Sequence, residues 1–109
     1  FPAAARFGVL YDLAPISALE AARLNGQAIG LMLWELGLTM AALPVLDLAH
    51  GGGDPVIGDR AFSSDPLAVA ALGGATLDGL RHGGVLGVIK HLPGLGRGGC
   101  DSHVMRPVI

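Results

Sequence analysis

Charge is scarce in this chain. Asp, Glu, Lys and Arg together make up 15% of the 109 residues, and the formal net charge is −2. Binding to nucleic acid or to an anionic membrane calls for clustered cations, so neither is expected as a partner. Cysteine is nearly absent too. Cys100 stands alone, which excludes an internal disulfide framework and is compatible with a reducing compartment. Long apolar runs are missing: the most apolar stretch, 28–34, is stopped by Glu35 and is too short to span a bilayer. The start, Phe1-Pro-Ala-Ala-Ala-Arg6, lacks the basic region and apolar run of a signal peptide. An initiating Met is also missing, as processing or excision from a longer protein would leave it.

What remains is apolar and rich in glycine. Apolar residues form 51% of the sequence, enough for a core, and disorder would require low hydrophobicity with high net charge. The 18 glycines follow no three-residue period, which excludes collagen. They punctuate short elements and loops. At this length the chain is one small domain at most.

The first sixteen residues read as irregular. Ser17-Ala-Leu-Glu20 has the spacing of a capping box, which predicts a helix over 18–36 with Leu24, Ala28, Leu31 and Glu35 at helical spacing, Leu31, Met32 and Trp34 as apolar bulk, and a stop at Gly37. Leu38–Leu46 reads as a buried strand leading to Asp47, ended near Leu43 by Pro44. A long loop over 48–64 follows and includes Gly51-Gly-Gly-Asp-Pro55. Asp65 and Pro66 suit the cap and first position of a helix reaching about Arg81 and ending at His82-Gly83-Gly84. Val85–Ile89 is a second buried strand that delivers Lys90 and His91. A Gly-rich loop from Pro93 to Cys100 leads to Asp101-Ser-His103. Both strands are too apolar to be covered on one face only. The order helix, strand, loop, repeated, therefore predicts a parallel α/β architecture with chemistry at the loop ends of the strands.

Several residues there are able to carry chemistry. Asp101 and His103, two apart in an extended segment, would point the same way, and a carboxylate beside an imidazole suits proton transfer near neutrality. The competing reading is an ordinary satisfied histidine. Lys90 and His91 are placed to contact ligand hydroxyls or to cap and brace the strand end. Arg60 offers a fork for two ligand oxygens or a pin for its loop. Asp47 either touches substrate or braces loops, with the structural role favoured. Arg81, Lys90, Arg97 and Arg106 make the last third locally basic, which suits an anionic or polyhydroxylated ligand or an ordinary solvated face. His91, Asp101 and His103 are permissible zinc ligands, but their spacing matches no metal motif. Gly94-Leu-Gly-Arg-Gly-Gly99 lacks the Lys-Ser/Thr of a nucleotide-binding loop. Cys100 reads as a loop thiol. No cofactor and no metal are expected.

The combined string Lys90-His-Leu-Pro-Gly-Leu-Gly96, Asp101-Ser-His103 and Pro107 resembles the signature of the bacterial β-N-acetylglucosaminidases of glycoside hydrolase family 3. Leu43-Pro-Val-Leu-Asp47 and Ile57-Gly-Asp-Arg-Ala-Phe-Ser63-Ser-Asp65-Pro66 are similar to two preceding stretches of that family, in order, and Phe1-Pro2 resembles the point after its acidic N-terminal motif. The resemblance covers essentially the whole chain. It implies a partial (β/α)8 barrel, consecutive parallel strands with crossover helices, truncated at both ends. It implies a parent enzyme that removes terminal non-reducing N-acetyl-β-D-glucosamine with retention, in cytoplasmic peptidoglycan recycling. Its partners would be an N-acetylglucosamine-containing glycoside or muropeptide and the remaining barrel segments.

By the same resemblance, His103 is the general acid/base, Asp101 its partner, and Arg60, Lys90 and His91 hold sugar hydroxyls. The nucleophile, an aspartate on a later strand, lies outside the chain, so the isolated chain is expected to be inactive. Three positions depart from the family: Leu95 stands where a histidine is usual, Leu92 where an aromatic is usual, and Arg106 where an apolar residue is usual. The alternatives are a catalytically dead carbohydrate-binding remnant and a purely structural barrel segment.

Overall fold

The computed structural model describes residues 1–51, 56–98 and 100–106. Most of the Gly51–Pro55 segment, and Pro107, lie outside the described residues. Helix α1 (Ala4–Leu13) is followed by α2 (Pro15–Glu35), strand β1 (Met40–Ala41), a 3-10 turn (Gly58–Arg60), helix α3 (Pro66–His82) and strand β2 (Leu86–Gly87). The strands pair in parallel, with Met40 opposite Leu86 and Ala41 opposite Gly87. Parallel neighbours need a long crossover, and α3 supplies it.

The N-terminal sixteen residues are helical rather than irregular. Ala, the strongest helix former, recurs at 3–5. The Ala14 N–H closes α1 on the Leu10 carbonyl at 2.7 Å. Pro15 then opens α2, because its fixed φ suits the first helical position and its missing N–H costs nothing there. Ser17 therefore sits inside the helix and makes no cap. The far end is as expected: Gly37 takes φ +77° and stops the helix.

The buried face of α2 is also not the apolar stripe that the sequence suggests. Leu24 and Leu31 are each 50% exposed, and Ala28 and Glu35 are exposed too. The buried residues are Ala18, Ala22, Gly26 and Gly30, four apart along one line. The reason is the closeness of α3. A Cβ on Gly26 would lie 2.5 Å from the Thr76 carbonyl oxygen, and one on Gly30 would lie 2.8 Å from that of Leu80. Gly79 and Gly83 meet the α2 backbone in the same way from the other side. Only residues without side-chain bulk allow two helix backbones to touch. The large side chains of α2 are turned outward in consequence.

Helix α3 forms as its sequence predicts. Asp65 accepts the Leu67 N–H at 3.0 Å, Pro66 occupies the first turn, and the helix ends at His82. Its inner face supplies Val69 and Leu72 to a core with Phe7, Ala18, Ala22 and Phe62. Leu80 joins Ala41 and Val85 in a second cluster beneath the strands.

The strands depart from expectation in two ways. Pro44 interrupts the pairing without ending it: its carbonyl accepts the Lys90 N–H at 3.2 Å, and Val45 bridges Lys90 in parallel. The strands are also covered on one face only among the described residues. Alternate side chains point to opposite faces, so Ala41 is buried while its neighbour Met40 is 57% exposed and Leu86 is 62% exposed.

This crossing separates two substitutions that look alike on paper. Gly26→Ala should destabilise the fold by about 1–3 kcal/mol, because backbone must move to admit the methyl. Gly74→Ala, on the open side of α3 with nothing near its Cβ position, should stabilise it by about 0.5–1 kcal/mol through helix propensity. Urea unfolding midpoints of the two variants measure both signs.

Candidate active site

The loop ends of both strands meet at Asp47. Val45 pairs with Lys90, which sets the residues after β1 beside those after β2. The Asp47 side chain is solvent-excluded yet fully occupied. One carboxylate oxygen accepts from Nδ1 of His91 at 2.5 Å and from the His91 backbone N–H at 3.4 Å. The other accepts the N–H of Gly96 at 3.2 Å and the N–H of Leu95. Burial pushes this carboxyl up. The hydrogen bonds from the His91 ring and the Leu95 amide outweigh it and hold the group below the ordinary carboxylate value. Asp47 thus ties the 91–96 loop to β1, the bracing role favoured from sequence.

Leu95 takes part in this clamp whatever its side chain. The contact to Asp47 is made by the backbone amide, which any residue except proline supplies. Gly96 has a steric reason as well, since a Cβ there would strike the Leu48 carbonyl.

Two clefts flank this clamp. One, of about 340 Å3, is lined by Asp47, His91, Pro93, Gly94, Gly96 and Arg97 among others. The second, of about 260 Å3, is lined by Arg60 and Lys90 with Ala42, Val45 and Phe62. The structure therefore brings Arg60 and Lys90 together. His91, although adjacent to Lys90 in sequence, faces the other cleft. The Arg60 guanidinium also donates to the Val56 carbonyl at 3.0 Å, so it pins its own loop as well as lining the cleft.

Asp101 and His103 do form a pair, in a geometry different from the extended one. Residues 102–104 turn. One Asp101 oxygen accepts both the His103 N–H at 2.9 Å and its ring Nδ1 at 2.7 Å. An aspartate bonding the amide two residues on is a turn of its own, and it delivers the ring to the same oxygen without a strand. These bonds, the backbone one first, hold the Asp101 carboxyl below its ordinary value. The His103 side chain is 86% exposed, so its Nε2 is open to an incoming group. Neither residue lines the two clefts above.

The two histidines are engaged by different aspartates. Among the described residues no three His, Cys, Asp or Glu side chains group as metal ligands would. Also among the described residues, no helix is long and apolar enough to cross a membrane. Sequence reasoning named every polar member of this site. It did not foresee that Asp47 would take four donors at once, although its position directly after a buried strand and opposite the Gly-rich loop was a signal.

The sign of the pH effect at Asp47 follows from its depressed value. A carboxyl lowered on folding contributes stability in full above the ordinary carboxylate range, near 3.9, and loses it as pH falls through the folded value. Amide protection at Leu95 and Gly96 should therefore persist at neutral pH and fall away below about 3.9. Asp47→Asn should lower it at neutral pH, at a cost of about 1–3 kcal/mol, and flatten its dependence on acid. Hydrogen exchange along a pH series, corrected for intrinsic rates, checks both.

Similarity to known proteins identifies the family of this chain. Residues 1–109 match the glycosyl hydrolase family 3 N terminal domain. A β-hexosaminidase of Thioalkalivibrio sulfidiphilus is 45% identical over 107 residues, covering 98% of this chain and 30% of that protein. The β-hexosaminidase LpqI of Mycobacterium tuberculosis is 45% identical over 92 residues, covering 84% of this chain and 24% of its own. Among solved structures, native NagZ of Neisseria gonorrhoeae superposes with a TM-score of 0.91 at 37% identity, covering 97% of this chain and 31% of that one. The same protein has been solved with N-trifluoroacetyl-D-glucosamine. The chain thus spans about a third or less of the relatives it matches, and its parallel strands with a crossover helix are part of a (β/α)8 barrel. It belongs to glycoside hydrolase family 3, within that family's N-terminal domain.

Proposed function

We propose that this chain is an internal segment of a longer barrel enzyme that hydrolyses terminal, non-reducing N-acetyl-β-D-glucosamine residues with retention. The observation that carries the reading is the exposed Asp101–His103 pair, joined at 2.7 Å on the loop that follows β2. The β-hexosaminidase relatives support the substrate class.

In this reading His103 is the general acid/base. A carboxylate on Nδ1 leaves Nε2 as the atom that gives a proton to the glycosidic oxygen, and Asp101 stabilises the imidazolium that does so. In the second step the neutral ring takes a proton from water as the glycosyl-enzyme is hydrolysed. The nucleophile is supplied by a later strand of the parent barrel, so the 109-residue chain alone does not turn over. Arg60 and Lys90, sharing one cleft, and His91, across the clamp, hold sugar hydroxyls. The resemblance extends the proposal to muropeptides as natural substrates and to peptidoglycan recycling in the cytoplasm.

A general acid matters most when the leaving group is poor. In the full-length protein, His103→Ala should cut kcat/KM on an alkyl N-acetyl-β-D-glucosaminide by about 10²–10⁴-fold, and much less on an aryl glycoside whose phenol leaves readily. Equal losses on both, or none, would remove His103 from the role. Sugar binding by calorimetry without any turnover in the unmutated full-length protein would favour the binding-remnant reading instead. A second expectation concerns binding: Arg60→Ala should raise KM on both glycosides alike, since it loses contacts that do not depend on the leaving group.

A further inference from the structure

We infer that Asp47 is a positioning residue for His91: it fixes the proton on Nδ1 and leaves Nε2 to accept a hydrogen bond from a ligand hydroxyl. This rests on the reading above, in which His91 contacts the sugar, and it assigns the direction of that contact.

An ionised carboxylate only accepts hydrogen bonds. Asp47 already accepts three backbone N–H groups, as an ionised carboxylate would, and those bonds favour its charged form. A ring nitrogen 2.5 Å from such an oxygen must carry the hydrogen. A neutral imidazole has one N–H, so the lone pair then lies on Nε2. Nε2 has no hydrogen-bond partner among the described residues, the ring is part-buried, and it lines the 340 Å3 cleft.

The consequence is a division of roles around the sugar. Lys90 and Arg60 carry no acceptor and are only able to donate. His91, held by Asp47, is the complementary acceptor. A hydroxyl both gives and takes a hydrogen bond, so a polyhydroxylated ligand is matched by cations on one side and a lone pair on the other. A ligand that only accepts would not use His91 in this form. The backbone bonds from Asp47 to Leu95 and Gly96 serve the same end, because they hold the loop that closes the cleft against the ring.

The test uses the full-length protein with ¹⁵N-labelled histidine, at a pH above the histidine range, with the His91 signal identified by its loss in His91→Gln. The expected spectrum shows His91 protonated at Nδ1 and bare at Nε2. In Asp47→Asn the amide is able to donate as well as accept, and the ring should move toward the Nε2–H form. In steady-state kinetics with an aryl N-acetylglucosaminide, Asp47→Asn should raise KM by about tenfold with a smaller change in kcat, and the double variant with His91→Gln should be no worse than His91→Gln alone. An Nε2–H ring in the unmutated protein, or fully additive effects in the double variant, would overturn the inference. If Asp47→Asn fails to fold, the spectrum of the unmutated protein decides. If the protein releases no N-acetylglucosamine, the functional proposal fails while the tautomer still stands or falls on its own spectrum.

Discussion

Among the described residues Asp47 is the one charged side chain that the fold buries, and the arrangement of the site depends on it. A carboxylate removed from water is costly unless its lone pairs are met. Here they are met by four donors from one loop, all of them 44 to 49 residues away in sequence. The geometry is therefore mutually enforcing. The loop after β2 cannot leave without stranding a buried charge, and the charge cannot be buried until β1 and β2 are in register. Strand pairing, loop closure and the orientation of His91 are geometrically linked.

The two helices lie low against each other, which accounts for much of the small-residue composition. Alanine and glycine at every fourth position of α2 let its backbone touch that of α3. Gly87 continues the same economy into the sheet, where a Cβ would lie 2.9 Å from the Leu43 carbonyl and 3.1 Å from Leu80. The closest approaches of α2 to α3 are made where side chains are absent, and large buried ones, such as Leu72 and Leu80, fill what is left. The exposed faces of β1, β2 and α2 carry the leftover bulk, as befits one sector of a larger barrel.

The parts legible from sequence were those set by local chemistry. Asp65 and Pro66 opened α3 as expected, Gly37 closed α2, and the strand ends delivered Asp47, Lys90 and His91 to one side. What misled was the assumption that bulk marks the buried face. Leu24 and Leu31 keep helical spacing, but periodicity alone does not say which stripe meets a neighbour when that neighbour demands glycine. Ser17 misled for a similar reason: a good capping box lost to Pro15, whose locked φ starts the helix three residues sooner. Lys90 and His91 were legible as site residues, but not as residues of separate clefts, because that depends on how the chain turns after the last strand bond.

The chain uses the same pair of side chains twice, and the difference lies in solvent. In both pairs an aspartate oxygen meets Nδ1 and also takes a backbone N–H of the same histidine. Around Asp47 the pair is sunk among loop amides, so exchanging a proton would disturb the clamp. That suits a ring held in one orientation. Around Asp101 the ring stands in the open, and the aspartate has only its own turn to hold. Burial, rather than residue type, is what tells the two pairs apart.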